Sequence, residues 1–141
     1  MWRSDRGLGF VGMTRLVLRA ELPFVTVRVN HGGRAVEVDN VLLDTGSAST
    51  LMSADIAARI GIVPRPSDRL RTLRGVGGRE VVFARTIDRL EVGGQGVDGF
   101  EIEIGGMDYG FDIEGILGMD FLRIAGAVVD LGALELTFGA G

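Results

Sequence analysis

The chain is written mostly in period two. In Phe24-Val25-Thr26-Val27-Arg28-Val29 a valine recurs at every second position, and the run ends at Asn30-His31-Gly32-Gly33. Alternation of this kind, rich in β-branched residues, predicts a half-buried strand, and the glycine pair supplies positive φ for a hairpin turn. Ala35-Val36-Glu37-Val38 alternates back out of that turn, and Val41-Leu42-Leu43 reads as a short buried strand. The same pattern predicts strands at 16–18, 70–73, 81–86, 87–92, 100–104, 128–129 and 134–138, separated by glycine clusters. The 23 glycines against only 3 prolines, with no collagen-like period, fit many tight turns between short strands. Only twice does the period lengthen. Residues 53–60 read as a short helix with Ser53 at its N-cap and Gly61 as its stop, and residues 119–124 as a second one. A chain of 141 residues makes one domain with a real core. Short strands at steady spacing with two minor helices predict an all-β fold, a closed barrel or a sandwich, over residues 14–141. Residues 1–13 read as a flexible N-terminal arm.

Composition removes several classes of function. A formal net charge of −4 offers no basic surface of the kind nucleic acid needs. With no cysteine and one histidine, His31, neither thiolate nor paired-imidazole metal sites are available, and no metal or cofactor is expected. No apolar run approaches the roughly 20 residues of a membrane helix. Arg3 and Arg6 precede an apolar patch as in a signal peptide, but Arg15 and Arg19 break it. The expectation is a soluble chain with no evident signal peptide and no membrane segment; its compartment is left open, with the cytoplasm slightly favoured.

One stretch departs from plain strand-and-turn grammar. Leu42-Leu43-Asp44-Thr45-Gly46-Ser47-Ala48-Ser49-Thr50 carries a carboxylate out of an apolar strand into a turn of hydroxyls and glycine. Burying a carboxylate is costly unless hydrogen bonds hold it, and Gly46 lets the backbone turn back to offer N–H donors. Alone, such a group is a poor catalyst. Two of them sharing one proton supply a general base and a general acid together, because like charges at that range cannot both ionise. The chain holds no second motif of this kind, so a twofold axis through the turn would have to bring the mate. A weak internal echo accompanies it: Ile116-Leu117-Gly118 is also an apolar strand running into glycine and then a helix. The plainer reading of Asp44 is a solvated turn aspartate.

Residues 42–50 resemble the active-site loop of the retropepsin-like aspartic proteases. Arg74-Gly75-Val76-Gly77-Gly78 resembles the glycine tip of the flap hairpin in that family, and Gly115-Ile116-Leu117-Gly118-Met119-Asp120 the element that braces its catalytic loop. Residues 134–138 stand where the family builds part of its dimer sheet. The likeness runs over roughly residues 22 to 138. It implies a closed acid-protease barrel with two short helices, one lobe per chain, acting as a homodimer on an extended polypeptide. It also implies that Asp44 is catalytic, that Thr45 bonds across the dimer, and that Gly46 meets the substrate backbone. Ser47 would complete the loop, and Gly75, Val76, Gly77 and Gly78 would form the flap. Thr50, Ile116, Leu117, Gly118 and Asp120 would support the loop from behind.

The chain also departs from the retroviral pattern. Ala48 and Met119 stand where retroviral members carry an Asp–Arg ion pair, so that pair is lost as a unit. Ser47, if its hydroxyl donates to Asp44, would favour an acid optimum. The rival expectation from another class is a catalytically silent peptide-binding or dimerisation module of the same fold. An intact Asp-Thr-Gly argues for the enzyme.

Overall fold

A computed structural model describes residues 12–75, 78–107 and 112–139. Most of the expected arm, together with Val76 and Gly77 of the expected flap tip, lies outside the described residues. The elements run β1 (Thr14–Arg15), β2 (Val17–Arg19), β3 (Leu22–His31), β4 (Arg34–Leu43), β5 (Leu51–Ser53), α1 (Ala54–Arg59), β6 (Leu70–Gly75) and β7 (Gly78–Val92). They continue with β8 (Gln95–Gly105), β9 (Gly115–Leu117), α2 (Met119–Ile124), β10 (Ala127–Asp130) and β11 (Glu135–Phe138). The fold is mostly β with two short helices, as the alternation predicts.

The larger sheet has the order β2-β3-β4-β9-β5-β8-β7-β6, and β3 pairs a second time, with β7, at Arg28–Asn30 against Arg89–Glu91. The pairings therefore lead from β3 through β4, β9, β5, β8 and β7 back to β3. A smaller sheet, β1-β11-β10, joins the two ends of the described chain. Turn chemistry fixes the hairpins. β3 runs on through His31, so the turn itself is Gly32-Gly33, with φ of 57° and 79°. Gly93-Gly94 repeats this device between β7 and β8, at 57° and 83°.

Three expectations are corrected. Residues 35–38 and 41–43 belong to one strand, β4, not two. The interruption seen in the sequence is a bulge, where Val25 pairs with Val41 but Val27 with Val38, and Asn40 takes φ of 59°. Residues 81–86 and 87–92 are likewise one strand of 15 residues, because β7 meets β6 along its first half and β3 near its end. The run 16–18 is split: Leu16 leaves the ladder, buries itself at 2% exposure and donates its N–H to Leu134 O at 2.8 Å.

Helix α1 ends as Gly61 predicts. Gly61 has φ of 81°, its N–H bonds Ala58 O, and Ile62 N–H reaches back to Ala57 O at 3.0 Å. That is the paired pattern of a Schellman stop, with Ile62 and Ala57 both buried. Ser53 stands at the N-cap but its side chain makes no cap bond. It is the last residue of β5, in register with Gly105, and the strand ladder buries it.

The main core is built from β3, β4, β7 and β8 together with the buried faces of α1 and α2. Phe121 is fully buried and meets Phe100 and Phe138 edge to face at 5.8 and 6.4 Å. A second, smaller cluster forms around Phe24, Leu51, Val82, Met107 and Ile113, with Leu42, Leu73 and Ile116 half-buried against it.

A buried ion pair ties the loop after α1 to β7. The Arg85 guanidinium, 9% exposed, bonds both oxygens of Asp68, 6% exposed, at 2.9 and 2.8 Å, and also reaches Val63 O. Burial by itself pushes the Asp68 carboxyl up. The hydrogen bonds from Arg85 and from Arg65 N–H, with the attraction of both guanidiniums, outweigh it and hold the group below its ordinary 3.8. A lowered native pKa contributes stability that is present above the unfolded value and lost as pH falls through the folded one. Thermal melts of wild type and Asp68→Asn should therefore differ most at pH 5 and above. The gap should close as pH drops below about 4. A gap independent of pH would contradict the assignment.

Candidate active site

The site is built where β4 and β9 run side by side. They pair in parallel, with Val41, Leu42 and Leu43 opposite Gly115, Ile116 and Leu117, so the two halves of the sequence echo lie next to each other. The pairing continues one step past the strand, since Asp44 N–H donates to Leu117 O at 3.0 Å. Asp44 is thus carried out on the end of a rigid, buried pair. The chain then turns sharply: Ser47 N–H bonds Asp44 O at 3.2 Å, and Gly46 N–H donates to Asp44 Oδ1 at 2.9 Å. A Cβ on Gly46 would stand 3.2 Å from that same oxygen, so a side chain there would crowd the carboxylate. Asp44 is half-buried, and Thr45 and Gly46 are exposed beside it.

The turn is clamped from behind. The Thr50 hydroxyl, 4% exposed, donates to Asp120 Oδ1 at 2.7 Å and accepts from Gly118 N–H at 3.1 Å. Asp120 also accepts from Thr50 N–H at 3.2 Å and from Phe121 N–H at 2.8 Å, so one carboxylate serves both the loop and the first turn of α2. Met119 N–H donates to Ser47 O at 2.8 Å. The structure therefore brings Thr50, Ile116, Leu117, Gly118 and Asp120 together around the Asp44 turn.

Gly115 and Gly118 are needed for space. A Cβ at Gly115 would stand 2.9 Å from Leu51 O, and one at Gly118 only 2.2 Å from Ser49 O. Both contacts are with backbone, which cannot swing aside as a flexible side chain would.

Ser47 behaves otherwise than the sequence suggests. Its hydroxyl donates to Ser49 O at 2.7 Å, within the turn, so the expected bond to Asp44 is replaced by a local one. Short hydroxyl side chains commonly satisfy nearby backbone carbonyls, and here the tight turn puts Ser49 O within reach. Ser47 therefore gives no reason to expect an acid optimum.

Ala48 and Met119 come to one wall, as their shared place in the retroviral pattern implies. With Asp120, Arg123 and Ile124 they line an open cavity of about 500 Å³. The hairpin expected as a flap is formed by β6 and β7, with Gly75 opposite Gly78 at the last described rung. Leu73 of this hairpin belongs to the second apolar cluster, together with Leu42 and Ile116 from the strands that carry the site.

Sequence reasoning missed Glu103. It lies on β8 in the alternating run 100–104, where its position reads as one more solvent-facing residue, yet it is 3% exposed. Ser49 Oγ donates to its Oε1 at 2.6 Å, and Arg71 Nη1 lies 2.6 Å from its Oε2. Among the described residues no group of three or more His, Asp or Glu side chains is arranged to hold a metal ion, and no helix is long and apolar enough to cross a membrane.

A carboxylate presented on a glycine turn, at the end of paired strands and braced by an apolar-apolar-glycine element, defines a class as well as a site. The aspartyl protease family profile matches residues 25–121, from the middle of β3 into α2. The chain belongs to this family of retropepsin-like aspartyl proteases. A search of curated proteins found no match.

Proposed function

We propose that the chain is an aspartic endopeptidase whose working form is a homodimer, with one active site made from two copies of Asp44. The observation that carries this reading is the setting of Asp44: Oδ1 receives Gly46 N–H, and the turn opens to solvent while its rear is clamped to α2. One lobe per chain supplies half of a dyad. The ring of pairings that returns from β7 to β3 is read as the closed barrel of that lobe.

In the dimer the ionised Asp44 takes a proton from a water held between the two carboxyls, while its protonated mate gives a proton to the scissile carbonyl oxygen. The water oxygen bonds to the carbonyl carbon, giving a tetrahedral diol with no covalent enzyme intermediate. Collapse of the diol breaks the C–N bond: the protonated carboxyl of the dyad gives its proton to the leaving nitrogen while the ionised one takes a proton from a diol hydroxyl. This leaves a carboxylic acid, an amine and a dyad that again holds one proton. Thr45, exposed beside Asp44, bonds its counterpart across the twofold axis. Gly46 meets the substrate backbone and the β6–β7 hairpin closes over it, so an extended peptide is held largely by main-chain hydrogen bonds. No metal or cofactor takes part.

The test is cleavage of a diverse peptide mixture from acid to neutral pH, with sedimentation run on the same samples. Cutting by a dimer is the expected result. A stable dimer that cuts nothing would overturn the enzyme reading in favour of a binding module.

A further inference from the structure

Three elements distant in sequence meet at Glu103. Ser49 belongs to the turn that carries Asp44, Arg71 to β6 of the 70–92 hairpin, and Glu103 to β8. The backbone reinforces the first link, since Glu103 N–H donates to Thr50 O at 2.9 Å. The second link crosses a strand: Arg71 is in register with Val82 and Glu103 with Ala84, so the ion pair spans β7 from β6 to β8. Its two halves are unequally placed. The Glu103 side chain is 3% exposed and that of Arg71 54%. Charges placed so deeply need a partner, and this one draws it from the hairpin.

We infer that Glu103 and Arg71 are positioning residues for substrate binding, fixing the height of the β6–β7 hairpin over the Asp44 turn through Ser49. The inference rests on the protease reading above and deepens it. Peptide would lie between hairpin and turn, so the spacing between them sets how well it is held. The clamp of Thr50, Asp120 and Gly118 holds Asp44 without using this pair, so the chemical step is insulated from it.

Arg71→Met should raise KM for an extended peptide about tenfold and leave kcat within about twofold of wild type, and Arg71→Lys should restore KM. Arg71→Met also strands a buried charge and lowers the melting temperature. The double variant Arg71→Met/Glu103→Gln removes that charge while keeping an acceptor for Ser49. It should recover the melting temperature and retain the raised KM. Amide hydrogen exchange at residues 70–73 should be faster in both variants than in wild type.

A double variant whose KM returns to normal with its melting temperature would overturn the inference, since the effect would then be one of stability. Unchanged exchange at 70–73 would overturn it as well. If the wild type cuts no peptide, the protease reading fails, and the exchange measurement alone decides whether the pair positions the hairpin.

Discussion

Asp44→Asn is expected to lower kcat/KM for a cleaved peptide by about 10⁴-fold or more while leaving the melting temperature nearly unchanged. The two parts of this expectation have separate reasons. An amide can neither take a proton from water nor return one to the leaving nitrogen, so the dimer would lose both carboxylates at once. The side-chain oxygen of Asn still accepts a hydrogen bond, so the bond from Gly46 N–H to position 44 survives and the turn keeps its shape. The clamp behind the turn involves Thr50, Gly118 and Asp120 and is untouched. Peptide hydrolysis followed by mass spectrometry, with a thermal melt on the same samples, reads both quantities. Undiminished cleavage would move the chemistry away from Asp44. Lost cleavage with a collapsed melt would show only that the turn needs its charge to fold.

Gly118→Ala is expected to destabilise the protein by about 3 kcal/mol or more, lowering the melting temperature by roughly 10 °C, and to remove activity with it. Conformational freedom is not the reason. Gly118 has φ of −100° and ψ of −177°, extended backbone that any residue adopts. The obstacle is contact: an added Cβ would stand 2.2 Å from Ser49 O, 2.6 Å from Ser49 C and 2.9 Å from Ser47 O. Relief requires the turn and the start of α2 to separate, which breaks the bond from Gly118 N–H to the Thr50 hydroxyl and the one from Met119 N–H to Ser47 O. Gly94→Ala is a useful comparison, because no atom lies within 4 Å of the added Cβ and only its φ of 83° is unfavourable. That change should cost about 1 kcal/mol. Equal losses at the two positions would contradict the close-approach account of Gly118.

These two residues also mark what could be read from the sequence. The turn at Asp44 and the brace at 115–120 are written in contiguous residues, so their local pattern carried them, and α2 was bounded correctly because apolar spacing changes period there. The chemical reason for Gly118 was not legible, since the backbone atoms that exclude a Cβ come from Ser47 and Ser49, some 70 residues earlier. β4 and β7 were each divided in two for a similar reason. A bulge at Asn40, and a partner change along β7, interrupt the pattern without ending the strand.

Glu103 escaped notice because period two assigns a residue to a face but does not say what covers that face. In β8 the covering groups are Ser49 and Arg71, brought in by tertiary structure alone. Ser47 erred in the opposite direction: the motif suggested a bond to Asp44, and a nearer carbonyl took the hydroxyl. The buried Arg85–Asp68 pair left no sequence signal either, being a contact between a loop and a strand 17 residues apart.

The most direct test of a dyad shared between subunits is to mix wild type with Asp44→Asn, let the subunits exchange, and follow peptide cleavage against the wild-type fraction. If one Asp44 from each chain is required, only wild-type pairs cut, and an equal mixture should retain about a quarter of the wild-type rate. A rate that falls in simple proportion, to about half in the equal mixture, would mean that each chain works alone, and would contradict the two-chain active site.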